Sequence, residues 1–137
     1  MEKCLVKAGN TFRMFTIHKT IKGRPPILPF LKIKEAVLGK KYNLELIYIG
    51  STRSKTLNEK YRGKKKPANI LSFPISKDMG EIFIDLNEIK KTATKYGENY
   101  RTFTGLLFIH GMLHLKGFAH GSRMEGEEIK IRKKFNI

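Results

Sequence analysis

At 137 residues the chain has the length of one domain with a single core, and no segment has the roughly 18 apolar residues that a membrane span requires. Its 28 Lys and Arg against 12 Asp and Glu give a formal net charge of +16, which favours a polyanionic partner such as RNA, although a membrane surface would also attract this charge. The only cysteine, Cys4, excludes an intrachain disulfide, and the first residues lack the apolar core of a signal peptide, so we expect a cytoplasmic protein.

The first forty residues predict a hairpin and a helix. Residues 1–18 alternate weakly between apolar and polar, which favours a hairpin around Gly9–Asn10 with His18 on the surface. Residues 27–38 have apolar side chains at helical spacing, and Gly39 can close that helix.

A strand and a second helix follow. Residues 44–49 are apolar at nearly every position, which is typical of a central strand. Residues 51–62 predict a helix with Leu57 and Tyr61 facing the core. Together with the next strand, over residues 69–75, they predict a right-handed parallel crossover.

Two neighbouring strands complete the predicted sheet. Residues 69–75 and 81–85 are joined by Asp78–Met79–Gly80, which favours an antiparallel hairpin. A hairpin beside a parallel crossover makes the sheet mixed. The sequence therefore predicts an α/β (α+β) fold, with a small mixed sheet packed with helices in a single domain over residues 1–137.

Two of the C-terminal helices have clear end signals. Asp85 and Glu88 have the spacing of a capping box that opens a helix ending at Gly97. The last helix is predicted over residues 124–135. Its acidic residues lie near its start and its basic residues near its end, and because this order suits the helix dipole we assign the acidic cluster no catalytic role. The two sets are Glu125, Glu127 and Glu128, then Lys130, Arg132, Lys133 and Lys134.

The helix between them carries the most informative segment of the chain. It starts near Thr102, and His110 and His114 are four residues apart, so their imidazoles lie on one face. Gly117 can end the helix and let the chain bring His120 to the same point. A lone histidine on a helix is usually an ordinary core residue, but three imidazoles without a fourth ligand are typical of a catalytic zinc with one open position. The histidine face is predicted to pack inward with Phe103, Leu106, Leu107 and Leu113.

The residue types near these histidines favour phosphodiester over peptide chemistry. Gly111 stands where an H-E-x-x-H peptidase needs its glutamate. A metal and an arginine can stabilise the charge that builds on a phosphoryl group, and Arg62 is the candidate, its alternative being a solvated helix end. The lysine run is expected to hold RNA phosphates, and three aromatics offer base stacking but more often pack inward. These residues are Lys64, Lys65 and Lys66, and Tyr61, Phe73 and Phe118.

Two blocks of the chain resemble the YbeY family of bacterial metal-dependent endoribonucleases. Residues 110–120, HGMLHLKGFAH, are similar to that family's H-G-x-L-H-L-x-G-[Y/F]-x-H. Residues 57–74, LNEKYRGKKKPANILSFP, are similar to its L-N-x-x-[Y/F]-R-x-K-x-x-P-T-[D/N]-V-L-S-F-P, and residues 80–82 to its G-[D/E]-I. Ala68 stands where the family often has threonine. Ala119 stands where it often has aspartate, a carboxylate able to orient a metal ligand.

The resemblance implies a zincin-like architecture and a single-strand-specific endoribonuclease. Its substrate would be precursor rRNA, chiefly the 3′ end of 16S rRNA, with a role in ribosome quality control. One zinc per chain would be held by His110, His114 and His120, and Arg62 would stabilise the transition state. The expected partner is precursor rRNA of the small ribosomal subunit, and contacts with ribosomal proteins are compatible with this role. Neither DNA specificity nor membrane binding is expected.

Two other functions stay open at this stage. One is a non-catalytic RNA- or ribosome-binding factor with a structural metal, which a fourth ligand would favour. The other is a metal-dependent hydrolase of a non-RNA substrate, which a narrow, enclosed pocket would favour. The attacking nucleophile, a ribose 2′-hydroxyl or a metal-bound hydroxide, also stays open.

Overall fold

The computed structural model describes residues 2–8 and 11–137, with side chains from residue 14 onward. The described strands form one mixed sheet, and helices cover both of its faces. The strands are β1 (Glu2–Ala8), β2 (Thr11–Lys19), β3 (Asn43–Tyr48), β4 (Ile70–Ser76) and β5 (Met79–Ile84). The helices are α1 (Phe30–Leu38), α2 (Ser51–Arg62), α3 (Leu86–Tyr96), α4 (Tyr100–Leu115) and α5 (Ser122–Phe135). The predicted mixed α/β fold is confirmed.

The sheet has the strand order β1-β2-β3-β5-β4. Strand β3 pairs in parallel with β2 and β5, so its predicted central position is confirmed. Its side chains alternate between two cores. Leu44 and Leu46 pack with α1, α3, α4 and α5 on one face, and Ile47 packs towards Leu57 of α2 on the other. Strands β1 and β2 pair antiparallel as predicted, and their turn at Gly9–Asn10 lies outside the described residues.

The predicted parallel crossover from β3 through α2 to β4 is wrong. Strand β4 pairs antiparallel with β5, which itself runs parallel to β3, so β4 runs opposite to β3 and is not its neighbour. The hairpin between β4 and β5 is confirmed, although its turn lies at Lys77–Asp78. Pro74 lacks a backbone N–H and therefore suits an edge strand, whereas the buried residues Ile82–Ile84 suit the place beside β3.

Several helix ends differ from prediction for local reasons. Helix α1 begins at Phe30 rather than at residue 27, because the proline at position 29 keeps the residue before it out of the helical conformation. Helix α4 begins at Tyr100, where the Asn99 side chain accepts a hydrogen bond from the Thr102 N–H at 3.0 Å. Helices α2 and α3 have their predicted bounds, and the Asp85 carboxylate accepts from the Glu88 N–H as its cap.

Helix α4 is the central helix of the larger layer and lies directly against β4. The contact is close because Gly111 has no side chain. A Cβ there would lie 2.8 Å from Ser72 Oγ and 2.9 Å from Ile70 Cδ1. Ser72 Oγ also donates to the Gly111 carbonyl at 3.1 Å. This contact places the end of α4 beside the free edge of the sheet.

The inward face of α4 is rotated from the predicted one. Its fully buried apolar residues are Phe108, Ile109, Met112 and Leu113. His110 and His114 are half-buried and lie at the border of that stripe. The predicted surface position of His18 is wrong. Its side chain is largely buried on β2, and its Nε2 lies 3.8 Å from Glu45 Oε1.

Candidate metal centre and basic groove

Three histidines meet at the C-terminal end of α4. His110 and His114 lie on its last turns, and their Nε2 atoms are 3.0 Å apart. His120 follows in the loop to α5, and its ring centroid lies 5.0 Å from that of His110 and 4.6 Å from that of His114. One ligand atom from each residue lies within 4.8 Å of the others. The structure therefore brings together the three histidines that the sequence singles out.

The turn after α4 explains how His120 returns to the helix. Gly117 has φ 104°, a left-handed conformation that favours glycine. Its N–H donates to the His114 carbonyl at 3.0 Å, and the Phe118 N–H donates to the Leu113 carbonyl at 3.0 Å. These hydrogen bonds end the helix and reverse the chain direction, as the position of Gly117 in the sequence predicts.

Hydrogen bonds orient two of the three rings. His114 Nδ1 lies 3.1 Å from the Phe118 carbonyl, which only accepts, so Nδ1 carries the proton and Nε2 keeps its lone pair. His110 Nδ1 lies 2.7 Å from Glu128 Oε1 on α5. Burial, followed by the neighbouring His110, lowers the pKa of His114, which favours the neutral form of that ring. The two hydrogen bonds thus leave the Nε2 atoms of both rings turned towards one point.

Glu128 is a residue that sequence reasoning missed. The helix dipole accounts for Glu125 in the first turn of α5, but it does not account for a carboxylate that contacts a histidine. Its spacing in the sequence indicates this role, because Glu128 lies four residues after Met124 and three before Ile131, which are both buried. A glutamate on the buried face of a helix needs a partner, and here the partner is His110.

The donor set fits a divalent transition metal. Three imidazole nitrogens suit zinc, and they leave a coordination position open for water or substrate. Among the described residues, the cluster of histidine, cysteine and carboxylate side chains that could hold an ion comprises only these three histidines. The alternative of a structural metal, which a fourth protein ligand would favour, therefore gains no support from the described residues.

A cleft of about 920 Å³ joins the histidines to the end of α2. Its floor is the edge strand β4, and its rim includes exposed basic side chains. The residues of predicted function that line it are Arg62, Lys64, Lys66, His110, His114 and His120. Lys65 does not line it. The exposed basic rim argues against the narrow, enclosed pocket that would favour a metal-dependent hydrolase of a non-RNA substrate.

Buried polar residues of α2 hold the basic loop, defined here as residues 63–66. Asn58 is 2% exposed, and its side-chain Nδ2 donates to the Lys66 carbonyl at 2.8 Å, while its main-chain carbonyl accepts from the Lys64 N–H at 3.3 Å. One step further, Ser54 Oγ donates to the Ala68 carbonyl at 2.8 Å and accepts from the Ala68 N–H at 2.9 Å. The loop backbone is thus anchored from below, so its lysines are presented from a defined position.

The predicted inner face of α2 is correct for Leu57 but not for Tyr61. Leu57 packs against the smaller core, whereas Tyr61 is 57% exposed, and the buried residues of the helix are Ser54 and Asn58. The Tyr61 ring lies edge-on to Phe73 at 5.0 Å on the wall of the cleft. Helix α2 turns Ser54 and Asn58 inward because their side chains form hydrogen bonds with backbone groups of residues 66 and 68. Apolar side chains at these positions would leave those backbone groups unpaired.

Comparison with known proteins agrees with this geometry. Residues 16–136 match the model of the family described as Endoribonuclease YbeY. The chain belongs to the endoribonuclease YbeY family. The family's proteins include Endoribonuclease YbeY of Buchnera aphidicola, 35% identical over 119 residues that cover 80% of this chain and 77% of that protein. Membership places the chain among proteins described as endoribonucleases.

Coverage of other YbeY proteins varies. Endoribonuclease YbeY of Mycoplasma mycoides is 33% identical over 92 residues, which cover 58% of this chain and just over half, 56%, of that protein. The solution structure of TM1509 from Thermotoga maritima has a TM-score of 0.60 with 20% identity, covering 88% of this chain and 91% of that one, and it shows the same fold. In the part of the chain that the structure describes, no helix has the length and apolar character needed to cross a membrane.

Proposed function

We propose that this YbeY protein is a single-strand-specific endoribonuclease that matures the 3′ end of 16S rRNA and takes part in ribosome quality control. The observation that carries the proposal is the single cleft that joins three clustered histidines to Arg62 and two lysines. Its partners would be precursor rRNA and the small ribosomal subunit, in the cytoplasm, and the functional domain would span residues 1–137.

The three histidines would hold one zinc ion through their inward-turned nitrogens. When bound, zinc supplies Lewis-acid polarisation of the scissile phosphate. Arg62 would grip two oxygens of the same phosphate with its planar fork and stabilise the charge that develops on them. Lys64 and Lys66 would hold neighbouring phosphates without reading sequence.

The packing around Gly111 agrees with the absence of a peptidase-type glutamate. A Cβ at position 111 would lie 2.8 Å from Ser72 Oγ and 2.9 Å from Ile70 Cδ1, so a larger residue would force these side chains to shift. Gly111 stands where an H-E-x-x-H peptidase needs its general base, which disfavours peptide hydrolysis by that route.

The proposal is tested with RNA that carries the 3′ end of precursor 16S rRNA, offered unpaired or annealed to a complementary strand. We expect cleavage of the unpaired form only, its loss on chelation and its return on adding zinc. His18→Ala serves as the matched histidine control, because His18 lies on β2 away from the cluster. RNA that binds tightly but stays intact in the metal-loaded protein would instead support the non-catalytic binding factor.

A further inference from the structure

The carboxylate of Glu128 lies against the outer nitrogen of His110. Glu128 Oε1 is 2.7 Å from His110 Nδ1, a distance typical of a charge-assisted hydrogen bond. Both side chains are largely withdrawn from solvent, at 17% exposed for Glu128 and 26% for His110. Because solvent screens such a pair only partly, the contact has more effect than a surface ion pair.

The contact determines which nitrogen of His110 faces the cluster. An ionised carboxylate only accepts hydrogen bonds, so His110 Nδ1 must carry a proton. A neutral ring then has its lone pair on Nε2, the atom that lies 3.0 Å from His114 Nε2. Ring orientation and tautomer are thus both set from the side of His110 that faces away from the cluster.

Glu128 is neither a member of the ligand cluster nor a wall of the cleft. The group of side chains close enough to share an ion consists of the three histidines, and Glu128 is absent from the residues that line the cleft. It therefore does not meet substrate directly, and any influence on the site passes through His110.

This chain also lacks the carboxylate that the family pattern places next to the third histidine, since that position is Ala119. Helix α5 supplies a carboxylate to a different histidine, since its Glu128 contacts His110. Met124 and Ile131 are buried on the same face of α5 as Glu128, so the packing of α5 on α4 holds the carboxylate in place. Three neutral imidazoles bring no charge to a divalent cation, whereas Glu128 brings one negative charge close to it.

We infer that Glu128 is a positioning residue for the metal centre. It fixes the His110 ring with Nε2 towards the ion, and its charge raises the affinity for a divalent cation. The inference rests on the proposed metal site, in which His110 is a ligand. Groups of this kind typically change metal affinity by about 10- to 100-fold.

The test measures apparent dissociation constants for Zn²⁺ and Co²⁺ by competition with a chromophoric chelator at neutral pH. Glu128→Gln keeps an acceptor for the His110 N–H but removes the charge, and we expect about 10-fold weaker binding. Glu128→Leu removes both, and we expect about 100-fold weaker binding. Glu127→Gln removes a neighbouring charge of α5 and should bind as the wild type does.

A second readout follows the His110 ring itself. In the metal-free protein, nitrogen NMR should show the proton on Nδ1 of His110 in the wild type and in Glu128→Gln, and a mixture of tautomers in Glu128→Leu. If Glu128→Leu fails to fold in a thermal melt, the metal affinity of Glu128→Gln decides. Wild-type affinity in Glu128→Gln, together with an unchanged tautomer in any folded Glu128→Leu, would overturn the inference.

The outcomes separate this inference from the metal site on which it rests. A wild-type protein that binds no metal, or a His114→Ala variant that binds it normally, would refute the three-histidine site. Normal binding in the Glu128 variants, with binding lost in His114→Ala, would refute only the role of Glu128.

Discussion

The two walls of the cleft are built differently. The histidine wall, formed by His110, His114 and His120, carries imidazole rings, two of which are fixed by hydrogen bonds to a carbonyl or a carboxylate. The basic wall, formed by Arg62, Lys64 and Lys66, carries long, exposed side chains above an anchored backbone. Metal binding needs each ligand atom held within a fraction of an ångström, whereas holding a phosphate chain needs mainly charge at the right distance. The two walls should therefore respond differently to substitution.

Removing a ring from the histidine wall should have the largest effect. We expect His114→Ala to lose stoichiometric zinc and all metal-dependent cleavage, because two imidazoles cannot hold the ion at comparable affinity. Elemental analysis of the purified protein measures the metal, and the affinity for single-stranded RNA should stay near the wild-type value. Equal metal content in the variant and the wild type would contradict the site.

Arg62 belongs to the basic wall but is assigned to the transition state, so its loss should affect the cleavage rate more than RNA affinity. We expect Arg62→Ala to bind metal and RNA nearly normally but to cleave about 10²-fold more slowly, the scale seen when one charge-stabilising donor is removed. Arg62→Lys should recover only part of the rate, because lysine lacks the planar fork.

The measurement for Arg62 is single-turnover cleavage at saturating enzyme. Arg53→Ala is the matched control, because Arg53 lies on the same helix outside the cleft lining. Wild-type cleavage by Arg62→Ala at saturation would make Arg62 a binding residue or a bystander.

The anchor beneath the basic wall should have an intermediate effect. Asn58→Ala removes the hydrogen bond to the Lys66 carbonyl and leaves that group unpaired, so we expect a loss of about 1–3 kcal/mol in the free energy of unfolding. RNA affinity should fall while metal content stays unchanged. Urea unfolding measures the stability, with the exposed Thr56→Ala on the same helix as control. A variant that loses metal instead would show that the two walls are coupled.

The lysines should show the smallest and most graded effect. RNA affinity should fall as salt rises, and neutralising Lys64 and Lys66 together should reduce the slope of log affinity against log salt by about 0.7 for each lost phosphate contact. Lys65→Gln is the sharpest control, because Lys65 does not line the cleft. The triple variant should behave like the double one. An unchanged slope in all three would make the lysine run an ordinary solvated loop.

Features that depend on neighbouring residues could be read from the sequence alone. The four-residue spacing of His110 and His114, the glycine turn at Gly117 and the cap at Asp85 all act within a few residues, and the structure shows each of them. The bounds of α2 and α3 were predicted for the same reason. Net charge is a sum over residues, so the basic character of the chain needs no fold at all.

Contacts between residues that are far apart in the sequence were determined only by the tertiary structure. The direction of β4, the exposure of Tyr61 and the contact between Glu128 and His110 each depend on partners far away in sequence. Periodicity identifies which face of an element is apolar, but it does not determine which strand lies next to which. Arg62 and the histidines share one cleft because β4 takes the edge of the sheet and α4 packs closely against it at Gly111. Those long-range pairings result from the packing of the whole core, which no local segment encodes.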